Sequence, residues 1–188
     1  MDSHPLLMES DNKNTGIIFL STDKGLVGAL NTNLMRTLAS QVSPWCVYYT
    51  VGRKGRGYVV KTGGDLKADF ENSDTITFRQ AKQLAKLLMD SYQSKEIGEA
   101  YIIYPQFIST LKQEPRKVKL LPITPELAND SAEFIFEGGP DALLDFLLVH
   151  HLEEQIYQAL LETKASEHSA RMIAMQNATD SAKEIVED

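Results

Sequence analysis

The run GIIFLSTDKGLVGALN, Gly16 to Asn31, decides how this chain folds. Gly16 to Thr22 is a short apolar stretch ending in turn-forming residues, the pattern of a buried strand. Asp23 to Asn31 is a turn punctuated by Gly25 and Gly28. Beyond it, Leu34, Met35, Leu38 and Val42 recur at helical spacing, which predicts a helix over 31–42. Pro44 stops that helix, because the residue before a proline is pushed out of the helical region.

The alternation continues outward. Trp45 to Val51 reads as a second strand, and residues 53–62 as a short basic helical link closed by Gly63 and Gly64. Leu66 to Phe70 alternates apolar and polar, a weaker strand. Phe78 to Tyr92 carries Ala81, Leu84, Ala85, Leu88 and Met89 on one face, an amphipathic helix. Ala100 to Tyr104 and Val118 to Leu121 read as further strands, and Phe134 to Phe136 as a last short one. Strands alternating with helices predict an α/β domain over 16–139, with a Rossmann-like, mostly parallel sheet and helices on its faces. A polar leader, residues 1–15, reads as frayed.

Residues 140–188 differ in kind. They hold no glycine and no proline after Pro140, and they read as one helix. At 1.5 Å per residue it runs on the order of 70 Å. A compact chain of this size has a radius of gyration of about 16 Å. The helix must therefore fold back or project. Leu143, Leu144, Leu147, Leu148, Leu152, Ile156 and Leu160 recur at three- and four-residue spacing and predict packing on the domain or on a partner helix. After Leu161 the apolar positions become small or unbranched, among them Ala165, Ala170, Met172, Met175 and Ala178.

Composition narrows the function classes. The chain is 43% hydrophobic and 24% charged, an ordinary globular balance. Ten acids and three bases fall in 140–188, a net of −7 that equals the formal charge of the whole chain. An acidic helix repels nucleic acid and anionic membranes and suits a protein partner of basic or mixed charge. No apolar run reaches the length needed to insert in a bilayer. The lone Cys46 lies in an apolar run and reads as a small buried hydrophobe.

The turn at 23–31 stands where a dinucleotide fold places its phosphate loop, yet it lacks the third glycine of G-x-G-x-x-G. A free-standing nucleotide-binding protein using Gly25 and Gly28 therefore stays open as an alternative. His150 and His151 are adjacent and point about 100° apart on a helix, so they do not form a metal pair. Arg53, Lys54, Arg56 and Lys61 form a basic patch that reads as a solvated helix face. No catalytic group, cofactor or metal is expected.

Two stretches carry a resemblance. STDKGLVGALNTN, Ser21 to Asn33, resembles the strand-turn-helix signature S-D-R-G-L-C-G-x-x-N of the F-type ATP synthase gamma subunit. ASEHSARMIAMQNATDSA, Ala165 to Ala182, is similar to that family's C-terminal signature nearly residue for residue. FIFEGGPDALLD, Phe134 to Asp145, is similar to its Y-x-Y-E-P-x-x-x-x-L-L segment. The resemblance implies a non-catalytic rotor shaft, turned by a membrane ring of c subunits inside a hexamer of alpha and beta subunits and accompanied by an epsilon subunit. It implies a peripheral location on the cytoplasmic face of the bacterial inner membrane. A scaffold paralogue that has lost rotation is a further alternative.

Residue by residue, the resemblance implies that Phe134, Phe136 and Glu137 form the foot on the c ring. Both family tyrosines are phenylalanine here, so two hydroxyls are lost. Glu167, Arg171 and Met175 are implied as contacts to catalytic beta subunits. Asp23, Lys24, Gly25, Leu26, Gly28 and Asn31 match the signature turn, with Lys24 in place of arginine, Val27 of cysteine and Ala29 of a common glycine. A lysine keeps the charge and loses the bidentate fork. Family members begin with a long helix before the equivalent of His4 and extend beyond the equivalent of Asp188. The sequence therefore reads as truncated at both ends, with one half of an antiparallel coiled coil. Its seam at Leu152, Ile156 and Leu160 is then expected to be exposed, driving self-association or fraying beyond about Glu162.

Overall fold

The computed structural model describes residues 4–41, 43–124 and 139–187. Five strands form one sheet in the order β3-β2-β1-β4-β5, with β1 at Thr15–Leu20, β2 at Cys46–Val51, β3 at Asp65–Phe70, β4 at Glu99–Ser109 and β5 at Lys112–Leu121. The first four are parallel and β5 runs antiparallel to β4. The helices are α1 at Leu30–Ala39, α2 at Arg53–Lys61, α3 at Phe78–Gln93 and α4 at Pro140–Glu187. A mostly parallel sheet with flanking helices and a long terminal helix is the fold the alternation predicts.

Strand β1 is central because both its faces are apolar. Ile18 and Leu20 point into one core layer with Tyr49, Ile102 and the apolar stripe of α3. Ile17 and Phe19 point into the other, with Leu34 and Leu38 of α1 and Val59 of α2. Successive strand residues face opposite sides, so one apolar run serves both layers.

Two elements differ from the sequence reading. The strands expected over 100–104 and 118–121 are the inner ends of a longer hairpin that projects past β1. Prolines at 105 and 115 argue locally against a strand, yet here they face each other across the hairpin. A proline cannot exchange two hydrogen bonds with its opposite residue, so the pair occupies a site where none is needed. The second difference is the leader, which is tied down from His4 onward. Leu6 is fully buried and accepts a bond from the Ile123 amide, while Tyr92 donates to the Met8 carbonyl. The His4 Nδ1 accepts from the Leu6 amide, and its Nε2 lies 2.9 Å from Asp145 Oδ1, joining the leader to the start of α4. Phe134 to Phe136 lies outside the described residues.

Candidate functional site: the joint where the long helix leaves the domain

The signature turn is a self-braced connection. Thr22 Oγ1 donates to the Lys24 carbonyl and accepts from Asn31 Nδ2, both at 2.7 Å, so Asn31 closes the turn from the start of α1. Asp23 Oδ1 accepts from the Arg53 amide at 2.8 Å, placing a carboxylate at the positive end of α2. Ser21 Oγ accepts from the Gly55 amide at 2.8 Å. Gly28 sits at φ +59°, where a side chain is strained, and Leu26, a residue 70% exposed, sits at φ 61°. Gly25 meets neither constraint, and Lys24 is exposed. The glycine this joint needs most was not singled out from the sequence. Gly52 has φ +97°, and an added Cβ would stand 2.4 Å from the Ser21 carbonyl oxygen.

Helix α4 crosses the carboxyl ends of β1 and β4. Beyond Ile103, β4 has no β1 partner, so outward backbone groups there need other partners. Ser166 Oγ donates to the Pro105 carbonyl at 2.9 Å, and the Phe107 amide donates to Glu162 Oε2 at 3.2 Å. Glu162 and Ser166 are four residues apart and share a helix face. At the next position of the helix, Asn72 Nδ2 bridges the Ser21 carbonyl, at 3.1 Å, and Glu167 Oε2, at 2.8 Å. Lys164 Nζ donates to Glu167 Oε2 at 3.0 Å and Arg171 to Glu167 Oε1 at 2.9 Å. Burial alone would raise the Glu167 carboxyl; hydrogen bonds from Arg171 and Lys164, with their charges, outweigh it and hold the group below its ordinary value.

This arrangement bears on the nucleotide-binding alternative. Open α/β sheets take ligands in the crevice at the carboxyl ends of strands, where the strand order reverses. Here that place lies between β1 and β4, where Ser166, Glu167 and Asn72 bond the strand-end backbone, and the cavity left beside it is lined by Gly28, Asn33 and Ala170. The start of α2 is likewise already held by Asp23 and Ser21.

The expected exposed seam is buried. Leu152, Ile156 and Leu160 are at most 3% exposed and lie in the core layer shared with α3 and the sheet. The reason is that α4 packs its aliphatic stripe on its own domain, one of the two packings its spacing allowed. Burial continues through Thr163, Ser166, Glu167 and Ala170, so docking extends well past Glu162 and the helix stays intact to Glu187. Nearer its start, Leu144, Phe146 and Leu147 are exposed. From Met175 to Glu187 every residue is exposed, a rod of about 20 Å at 1.5 Å per residue.

Glu167, expected to face a partner, is 5% exposed and holds the helix to the sheet. Arg171 is turned to Glu167, while Met175 lies exposed on the rod. Phe134, Phe136 and Glu137 lie outside the described residues. Asn72 and Ser166 are structurally central and were missed as individual residues. Ser166 lies inside the quoted C-terminal stretch, whereas Asn72 sits in the loop ENSD with no pattern to mark it.

Among the described residues, no helix is long and apolar enough to cross a membrane. The family model described as ATP synthase matches residues 1–188. The ATP synthase gamma chain of Histophilus somni (strain 129Pt) is 40% identical, over 98% of this chain and 68% of the relative. That of Desulforamulus reducens is 38% identical, over 98% and 67%. The chain thus spans about two thirds of these relatives. Among solved structures, the central stalk and c ring of the Tetrahymena thermophila mitochondrial ATP synthase align with TM-score 0.74 at 23% identity, covering 92% of this chain and 79% of that one. The Euglena gracilis mitochondrial ATP synthase rotor aligns with TM-score 0.71 at 19% identity, covering 93% and 70%. At these identities the structures speak to fold alone.

Proposed function

This chain belongs to the ATP synthase gamma-chain family, and we propose that it is the central rotor-stalk subunit of a proton-translocating F-type ATP synthase. It couples rotation of a membrane ring to ATP synthesis or hydrolysis elsewhere in the complex and does no chemistry itself. The observation that carries this reading is the match to gamma chains over nearly the whole chain. The geometry fits it: a rod of exposed helix is anchored by polar bonds to the α/β domain.

The rod, with Met175 and the Arg171 beside its base, is the part we assign to the alpha/beta hexamer. Phe134, Phe136 and Glu137 are assigned to the c ring, and the α/β domain to the epsilon subunit. The relatives are gamma chains of bacteria, which supports a peripheral place on the cytoplasmic face of a bacterial inner membrane. Self-association of the isolated chain falls to exposed Met172, Met175, Ile185 and Val186, since the earlier seam is buried.

Co-expression with the alpha and beta subunits of the same organism tests assembly. Affinity capture through alpha, followed by native mass spectrometry, is expected to show one copy per hexamer. Replacing Met172 and Met175 by aspartate is expected to reduce that occupancy. A captured hexamer that carries no copy of the folded chain overturns the proposal.

A further inference from the structure

The docked part of α4 is held by two kinds of contact, one after the other. From Leu152 to Leu160 the buried groups are apolar: Leu152, Ile156, Ala159 and Leu160. From Glu162 to Arg171 the one buried apolar side chain is Ala170, and the helix is held mainly by directional polar bonds. Glu162 and Ser166 bond the free edge of β4, and Glu167 reaches the end of β1 through Asn72. Apolar burial resists removal of the helix and has no direction of its own. Hydrogen bonds weaken steeply once donor–hydrogen–acceptor angles fall below about 120°. Neighbouring positions around a helix differ by about 100°. Turning α4 about its own axis therefore breaks the Glu162, Ser166 and Glu167 bonds together, while the aliphatic face can partly re-pack.

The geometry points to a torsional lock: Glu167 and Asn72, with Ser166 and Glu162, fix the rotational setting of α4 against the sheet where the helix leaves the domain. Glu167 is a positioning residue, since it touches only protein groups. Lys164 and Arg171 keep its two oxygens charged and oriented, so Asn72 meets a fixed acceptor. The lock explains why an acidic residue is buried in the last docked turn of the helix. Its mechanical meaning, that the angle of the domain is carried without slip into the rod, rests on the rotor reading. The lock itself does not.

Distances between spin labels test it in the isolated full chain. Labels are placed at Lys54→Cys on α2 and Gln176→Cys on the rod, both exposed positions, with buried Cys46 replaced by alanine. The parent is expected to give a single narrow distance peak. Glu167→Ala and Asn72→Ala are each expected to lose it in favour of a broad distribution, with the helical circular dichroism unchanged. Ile156→Val, which trims the apolar part of the same interface, is expected to keep the narrow peak. The lock is overturned if Glu167→Ala and Asn72→Ala keep the parent peak, or if Ile156→Val broadens it equally. Should Glu167→Ala fail to fold, Asn72→Ala and Ser166→Ala decide the same question. None of these outcomes depends on assembly: a surviving narrow peak refutes the lock and leaves the rotor reading standing. Failed capture by the hexamer does the reverse.

Discussion

Replacing Ile156 by alanine separates a helix docked on its own domain from one whose seam awaits a partner. Ile156 is fully buried, between the sheet and α3. The change removes three carbons, about 2.4 kcal/mol of transfer free energy at about 0.8 kcal/mol per carbon. The cavity left behind adds to this, and Ile→Ala losses in cores run at about 2–5 kcal/mol. Alanine is the better helix former, which returns a few tenths of a kcal/mol. The expected net loss is about 3 kcal/mol. Ile185→Ala is the matched control, because it makes the same change in the same helix at a residue 77% exposed. There only the helix-propensity gain remains, so the expected change is about 0.5 kcal/mol or less, and stabilising. Urea unfolding followed by circular dichroism at the helical band reads both. A loss below about 1 kcal/mol for Ile156→Ala, or equal effects at the two sites, would refute the docked helix.

The joint gives two glycine predictions of opposite sign. Gly52→Ala forces a side chain onto the Ser21 carbonyl at positive φ and is expected to cost more than about 2 kcal/mol. Gly25→Ala, with no atom near its added carbon, is expected to be neutral or to stabilise by up to about 1 kcal/mol in the same urea assay. Asp23→Ala removes the acceptor at the start of α2 and is expected to cost about 1 kcal/mol, read by thermal unfolding. Glu167 titrates below its ordinary value in the folded chain, so its contribution is complete above that ordinary value and is lost as pH falls through the folded one. Thermal midpoints are therefore expected to drop in the acid range more steeply for the parent than for Glu167→Gln. At neutral pH the variant is expected to be less stable by about 2 kcal/mol.

The sheet was legible because periodicity carries it. The GIIFL run needs burial on both faces, and the helices after it show clean apolar stripes. The outer hairpin was not legible, since Pro105 and Pro115 mark breaks in any local reading and are reconciled only by facing each other. The leader was missed because Leu6 is the one fully buried residue among those described in it, and the bonds that hold it come from Tyr92, Ile123 and Asp145, far away in sequence. The site was legible as a family signature rather than as chemistry. Spacing marks Glu167 as one more acid on an acidic helix. Its burial follows from Asn72, ninety-five residues away in sequence and in contact only through the tertiary fold. The seam shows the same limit from the other side: three- and four-residue spacing predicts that Leu152, Ile156 and Leu160 are covered and does not say by what.

Rotation itself tests the central claim most directly. The assembled complex, held by its beta subunits, carries a bead on the α/β domain through Lys61→Cys, an exposed position. On addition of ATP the bead is predicted to turn stepwise in one direction, and to stop when hydrolysis is inhibited. A bound chain whose bead stays fixed, or wanders equally in both directions while the hexamer hydrolyses ATP, would contradict a rotor and leave only a scaffold.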